Sequence, residues 1–155
     1  MIKKFIILLI IITFTNSCGF TPIYSNKKNN SISIEQLSFS GDRILNNYLK
    51  SNLNKYKNNV SSKKISLKIE TIYEKNTLTN NASGEIDKYE LLAKVIVIVN
   101  SNKQKLKFKE SKIMENMSDK SDERAYENST KQTFANIISQ DLIEQLTHIV
   151  LAEKE

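Results

Sequence analysis

The sequence predicts an α/β (α+β) sandwich, in which a four-stranded mixed sheet carries two helices on one face in the order β-α-β-β-β-α. Two observations predict this fold. Three segments alternate apolar and polar residues, as half-buried strands do, and a fourth is apolar on both faces. Two further segments space apolar residues three and four apart, as amphipathic helices do. A helical segment separates the first two strands, which therefore run parallel. The short connections between the last three strands favour an antiparallel meander.

A leader with the features of a secretory signal precedes these elements. Lys3 and Lys4 are followed by the apolar run Phe5–Phe14, which is shorter than the roughly 20 residues that a spanning helix needs. We expect residues 1–17 to be a signal peptide, cut between Ser17 and Cys18. The small residue before the only cysteine resembles the lipobox of bacterial lipoproteins, whose cysteine is lipidated. An ordinary secreted protein with a free thiol, or an uncleaved membrane anchor, are the alternatives, but a lone unpaired thiol is unusual in exported proteins.

Lipidation of Cys18 determines where the protein would lie. Two or more acyl chains anchor a protein stably, whereas one chain binds a membrane only marginally. Gly19 occupies the position at which an Asp retains lipoproteins at the inner membrane in the better-studied bacteria. We therefore expect an outer-membrane, lipid-anchored protein on the periplasmic side, with residues 18–30 as lipidated segment and tether and residues 31–155 as the folded domain.

The first strand and the first helix are predicted from adjoining patterns. Ser31–Phe39 alternates apolar and polar residues, and the phase shifts by one residue near Glu35-Gln36, which indicates a β-bulge. Apolar residues then recur at helical spacing over Arg43–Tyr56. Ser40 or Asp42 is placed to cap this helix.

Three further strands follow the first helix. Lys64–Lys75 alternates, Asn76–Asp87 is predicted to be a hairpin loop, and Lys88–Val99 is the most apolar segment after the leader. The fourth strand starts at Lys103 after a tight turn and continues through Ile113 and Met114, beyond a predicted break around Glu110-Ser111.

The strand Lys88–Val99, the third in the chain, is apolar on both faces. One face carries Tyr89, Leu91 and further alternate residues up to Val99, while Leu92, Ile96 and Ile98 make the other face apolar as well. A strand of this kind is buried on both sides or meets a partner.

The last helix is predicted over Asp122–Leu151, with Ser121 as its N-cap and with Asp122 and Glu123 near the positive end of the helix dipole. Its core stripe steps four residues at a time: Phe134, Ile138, Leu142, Leu146 and Val150. Ile137 lies outside that stripe, on the polar side of the helix.

The sequence offers little for catalysis. Its one histidine, His148, has Glu144 one turn away, whereas a metal site needs three or four ligands. Three glycines cannot form a phosphate-binding loop, and Cys18 is consumed by the anchor. We expect no enzyme activity, no metal and no cofactor. The formal net charge of +6 is spread evenly in lysine, without the basic patch and interleaved aromatic residues of nucleic-acid-binding proteins, so no nucleic-acid partner is expected.

Lysines recur at every second position of the fourth strand: Lys103, Lys105, Lys107 and Lys109. Two interpretations remain open. Lysines protect an exposed sheet edge against aggregation, and lysines that project together attract anionic phosphate headgroups.

The segment Cys18-Gly19-Phe20-Thr21-Pro22-Ile23-Tyr24, together with the order of elements behind it, resembles the LptE family of lipopolysaccharide-assembly lipoproteins. The resemblance implies a non-catalytic α/β sandwich that plugs the lumen of an LptD-like outer-membrane β-barrel, assists its assembly and contacts lipopolysaccharide on its way to the outer leaflet. Strand geometry, and not a match to the family's own residues, makes the lysine row the candidate lipopolysaccharide contact, with Lys105 and Lys107 foremost. The candidate barrel contacts are Leu92, Ile96, Ile98 and Ile137.

Two other functions are compatible with the same sequence. One is a lipid-anchored periplasmic adaptor of another envelope complex. The other is a periplasmic carrier or inhibitor that uses its apolar face for a ligand.

Overall fold

In a computed structural model, residues 32–57, 64–100 and 103–152 are described, and they form one sheet with two long helices. The elements are β1 (Ser33–Gly41), α1 (Arg43–Leu53), β2 (Lys64–Asn80), β3 (Ile86–Val99), β4 (Gln104–Glu115) and α2 (Lys120–Ala152), with a short 3₁₀ turn (Asn54–Tyr56) after α1. Their order confirms the predicted fold class. The predicted signal peptide, the cleavage site at Ser17 and Cys18 and the tether lie outside the described residues.

The strands lie in the order β1-β2-β3-β4. β1 runs parallel to β2, while β2, β3 and β4 form an antiparallel meander, as predicted. The register of β1 against β2 shifts between Ile34 and Gln36. This shift confirms the bulge. The bulge keeps Ile34 and Leu37 on the same buried face, although they are three positions apart and would lie on opposite faces of a regular strand.

Helix α1 begins where β1 ends. Asp42 is its N-cap, because its Oδ1 accepts a hydrogen bond of 2.8 Å from the backbone N–H of Leu45. Leu45, Leu49 and Leu53 are buried along the predicted stripe. Gly41 makes the tight passage into the helix at φ +98°, a backbone conformation that side chains disfavour.

The β2–β3 hairpin extends further than predicted. Asn76–Asp87 was expected to be a loop, but β2 continues to Asn80 and β3 begins at Ile86, so only residues 81–85 form the turn. Asn81 organises this turn, since its Oδ1 accepts backbone hydrogen bonds from Ser83 and Glu85 at 3.0 and 2.9 Å.

The predicted break in the fourth strand is also wrong. β4 pairs with β3 without interruption from Gln104 to Glu115. Glu110 and Ser111 pair with Ala93 and Leu92. The backbone hydrogen bonds therefore continue through two polar residues at which the apolar–polar alternation stops.

Helix α2 is 33 residues long and begins at Lys120. Asp119, rather than Ser121, caps it: Asp119 Oδ1 accepts hydrogen bonds from the backbone N–H groups of Ser121 and Asp122 at 2.6 and 3.4 Å. The predicted core stripe of α2 is buried throughout: Phe134, Ile138, Leu142, Leu146 and Val150.

The core lies between the helices and one face of the sheet. It combines the leucines of α1, the stripe of α2 and alternate residues of the strands, among them Ile69, Val97 and Phe108. The other face of the sheet has no helix against it within the described ranges, and we call it the open face. No helix in the described part of the chain combines the length and the apolar character that crossing a membrane requires.

Candidate functional site

The open face carries a row of three lysines on its edge strand. Lys105, Lys107 and Lys109 alternate along β4 and are exposed. They pair in register with Ile98, Ile96 and Lys94 of β3, which places them on the open face. None of the three makes an ion pair with a residue in the described ranges.

Lys103 does not belong to this row. It lies in the turn before β4 with φ +56°, and the first residue of the strand is Gln104. The pattern of four lysines at every second position therefore starts one residue before the strand that carries the other three. Lys103 is exposed, but β4 does not determine the direction of its side chain.

Other lysines of the open face have acidic partners. Lys94, opposite Lys109 in register, lies 2.9 Å from Glu74 Oε2. Lys68 lies 3.3 Å from Glu70 Oε1. Acidic side chains thus accompany the inner lysines, and the uncompensated positive charge lies along β4.

Isoleucines lie directly beside this charge. Ile96 and Ile98 are half-buried on the open face and are the register partners of Lys107 and Lys105. Ile72 of β2 and Ile113 of β4 are 48% and 58% exposed on the same face. The alternation along these strands could have indicated their position on this face. The open face is therefore amphipathic, with aliphatic side chains next to a cationic edge.

The four predicted apolar contact residues differ in exposure. Leu92 is only 6% exposed, so the chain itself covers it; its register partner Glu74 reaches Lys94 on the same face. Ile137 is 37% exposed and lies on α2, away from the open face. Leu92, Ile96 and Ile98 therefore share a surface with the lysine row, and Ile137 does not.

A polar cluster that the sequence did not predict joins the N-terminal half of α2 to the sheet. Lys75 Nζ of β2 donates hydrogen bonds to Glu123, and to Glu127 at 2.8 Å, and it lies 4.2 Å from the centre of the Tyr89 ring. Burial lowers the pKa of Lys75, but its two carboxylate partners outweigh burial and raise it above the ordinary value. Lys120 and Lys75 lower the pKa of Glu123.

A buried lysine lies further along α2 and makes a similar set of contacts. Lys131 is 7% exposed; its Nζ donates to Asp42 Oδ2 at 2.9 Å and lies 4.0 Å from the centre of the Tyr73 ring. Burial raises the pKa of Asp42, but hydrogen bonds from Leu45 and Lys131 bring it below the ordinary value. Burial, with the charges of Glu127 and Asp42, raises the pKa of the Tyr73 phenol. This cluster holds its charges in mutual contact, which fits a structural role.

The helical side of the molecule carries a groove of about 330 Å³ between α1 and α2. Six side chains line this groove: Asn52, Lys55, Tyr56, Asn136, Ser139 and Gln140. Asn136 and Gln140 lie outside the apolar stripe of α2, but their contact with α1 has no signal in the sequence.

No group of three or more His, Cys, Asp and Glu side chains suited to a metal ion occurs within the described ranges. His148 is 75% exposed and lies 3.9 Å from Glu144, its neighbour one turn earlier. Cys18, the predicted lipidation site, lies outside those ranges.

Solved structures of bacterial lipoproteins share this fold. Rare lipoprotein B from Shewanella oneidensis is 15% identical, with a TM-score of 0.54 over 74% of this chain and 98% of that chain. An uncharacterized lipoprotein B from Nitrosomonas europaea is 14% identical, with a TM-score of 0.56 over 82% of this chain and 91% of that chain. At these identities the likeness establishes a shared fold. No protein-family model and no curated protein matches the chain.

Proposed function

We propose that this protein is an outer-membrane lipoprotein of the lipopolysaccharide-export translocon. It acts as plug and assembly factor of an LptD-like β-barrel and contacts lipopolysaccharide during insertion into the outer leaflet. The membrane attachment is the acylated Cys18, which follows an apolar leader of signal-peptide length.

The observation that carries this proposal is the amphipathic open face. Lipopolysaccharide combines anionic phosphates with acyl chains, and the open face offers lysine ammonium groups beside isoleucine side chains. Lys105 and Lys107 are opposite Ile98 and Ile96 in register, so the phosphate-binding and apolar groups lie on neighbouring strands about 5 Å apart. Edge protection alone explains the lysines but not the adjacent isoleucines.

A plug also needs surface on more than one side. The open face exposes Ile72 and Ile113, while Ile137 on α2 exposes an apolar side chain on another side of the molecule. Large exposed aliphatic residues on separate sides are consistent with a protein that is surrounded by its partner. The two proteins described above that share the fold are both named as lipoproteins, which supports the proposed lipid anchor.

Affinity purification tests the partner. The full-length chain with a C-terminal tag is expressed in its native host and purified from detergent-solubilised membranes, and co-purifying proteins are identified by mass spectrometry. We expect a large outer-membrane β-barrel with a periplasmic domain. Recovery of another envelope complex without such a barrel contradicts the proposal and favours the adaptor.

Two variants sharpen this experiment. Ile137→Lys places a charge on an exposed apolar contact and should reduce recovery of the barrel, whereas His148→Lys on the same helix should leave it unchanged. Cys18→Ser should move the protein into the soluble periplasmic fraction and impair lipopolysaccharide export. Full function of the released protein would instead support the carrier.

A further inference from the structure

The groove between α1 and α2 is lined mainly by polar side chains. Its volume of about 330 Å³ falls at the lower end of the roughly 300–1,000 Å³ that small-molecule sites span. Its lining contains three amides, a hydroxyl, one ammonium group and one phenol ring, without a carboxylate and without an aliphatic side chain. This set does not favour a metal ion or an apolar ligand.

The amides at the centre of the groove are held in one arrangement. Asn52 Nδ2 donates to Asn136 Oδ1 at 2.9 Å and to Ser139 Oγ at 3.5 Å. The Asn52 carbonyl oxygen and the Asn136 amide N–H groups are then left for a ligand. An acceptor and a pair of donors thus lie side by side, on two residues that are 84 positions apart in the chain.

Ser139 adds a donor from the floor of the groove. It is 5% exposed, and its hydroxyl proton is donated to no acceptor in the described ranges. Thr133 and Thr147 of the same helix donate to the carbonyl oxygens four residues earlier at 3.1 and 2.7 Å, whereas the buried Thr130 hydroxyl has no partner in the described ranges. The Ser139 hydroxyl is therefore placed for an occupant of the groove.

We propose that this groove binds a saccharide that carries an acidic group. Sugar hydroxyls both donate and accept, which matches the alternating amide and hydroxyl groups of the lining. The Tyr56 ring supplies an apolar surface for the C–H face of a sugar, and Lys55 supplies a positive charge for its acid group. The groove shares no residue with the open face, so this inference does not rest on the proposed function.

Saturation-transfer NMR with glucuronate and glucose tests the proposal. The full-length protein is held in a detergent that has no sugar headgroup, and binding is titrated for both sugars. We expect saturation transfer to the ring protons of glucuronate and tighter binding of glucuronate than of glucose. Absence of transfer from the protein, or equal binding of the two sugars, overturns the proposal.

Two exposed residues provide the variants. Asn136→Leu removes the free amide donors and should weaken glucuronate binding about fivefold, as loss of a neutral hydrogen bond of about 1 kcal/mol implies. Lys55→Gln should abolish the preference for glucuronate over glucose. Lys64→Gln, at an exposed lysine of β2 outside the groove, is the matched control and should bind glucuronate as the wild type does. Unchanged binding in the two groove variants also overturns the proposal.

Discussion

Charge reversal on β4 tests the open face as a phosphate-binding surface. Lys105 and Lys107 lie two residues apart on one face of a strand, so their attachment points are about 7 Å apart. This distance is within the Debye length of about 8 Å at physiological ionic strength, and the two charges therefore act on one anionic ligand together.

The expected effect follows from the number of charges changed. A lysine near an anionic lipid surface contributes about 1 kcal/mol. Lys105→Glu/Lys107→Glu replaces two attractions with two repulsions and should weaken binding to lipopolysaccharide by about 2–4 kcal/mol, which is about 30- to 1,000-fold in Kd. Because both side chains are exposed, the melting temperature should change little.

The assay is binding of the purified protein to immobilised lipopolysaccharide at about 0.1 M and about 1 M salt, between which the Debye length falls from about 10 Å to about 3 Å. The difference between wild type and variant should shrink at the higher salt. Lys50→Glu/Lys57→Glu makes the same change of charge outside the open face and should have a small effect on binding. If the β4 variant binds as tightly as the wild type, the lysines protect the sheet edge and do not recognise phosphate.

Two further predictions concern stability, measured by denaturant unfolding of the Cys18→Ser protein. Gly41→Ala should cost about 4 kcal/mol or more, since a Cβ there would lie 1.8 Å from the backbone oxygen of Thr71 in addition to the cost of a positive φ; Gly84→Ala, at φ +82° with open space around it, should cost only about 1–2 kcal/mol. Equal losses in the two variants would show that the clash is relieved by a small movement. Glu123→Gln should destabilise the protein by about 1–2 kcal/mol at pH 7 by weakening its ion pair with Lys75. The pKa of Glu123 is lowered in the folded state, so this contribution is present above its ordinary pKa of 4.5 and disappears as pH falls through the folded value. A difference between wild type and variant that persists unchanged at pH 2 contradicts this reasoning.

The regular part of the fold could be predicted because the periodicity of the sequence matches the burial. The stripe from Phe134 to Val150 and the phase shift near Glu35 both have a local cause, and the structure confirms both. The hairpin between β2 and β3 could not be predicted in this way. Asn76 to Asn80 is polar and lacks alternation, but it is held as a strand by pairing with β3.

The polar contacts of the interior were missed for a related reason. Glu123 was interpreted as a residue that complements the helix dipole, whereas its carboxylate binds Lys75 and Lys120. The periodicity of α2 does not distinguish Lys131 from an exposed lysine, and the packing of α2 against Asp42 buries it. Contacts between residues far apart in sequence leave no periodic signal, and the groove at Asn52 and Asn136 belongs to the same class.

The parallel pairing of β1 has a consequence for the order of folding. Synthesis proceeds from the N-terminus, and in the described sheet β1 pairs with β2, which is made after α1. The ladder of β1 needs residues 64–71, and Ile34 lacks a neighbouring strand until its register partner Ile65 has been made. The meander from β2 to β4 joins neighbouring segments, so its hairpins close quickly, while docking of β1 with α1 spans a longer loop. The newly made chain therefore passes through a stage at which its first apolar strand is exposed, and a chaperone that binds extended apolar segments would act at this stage.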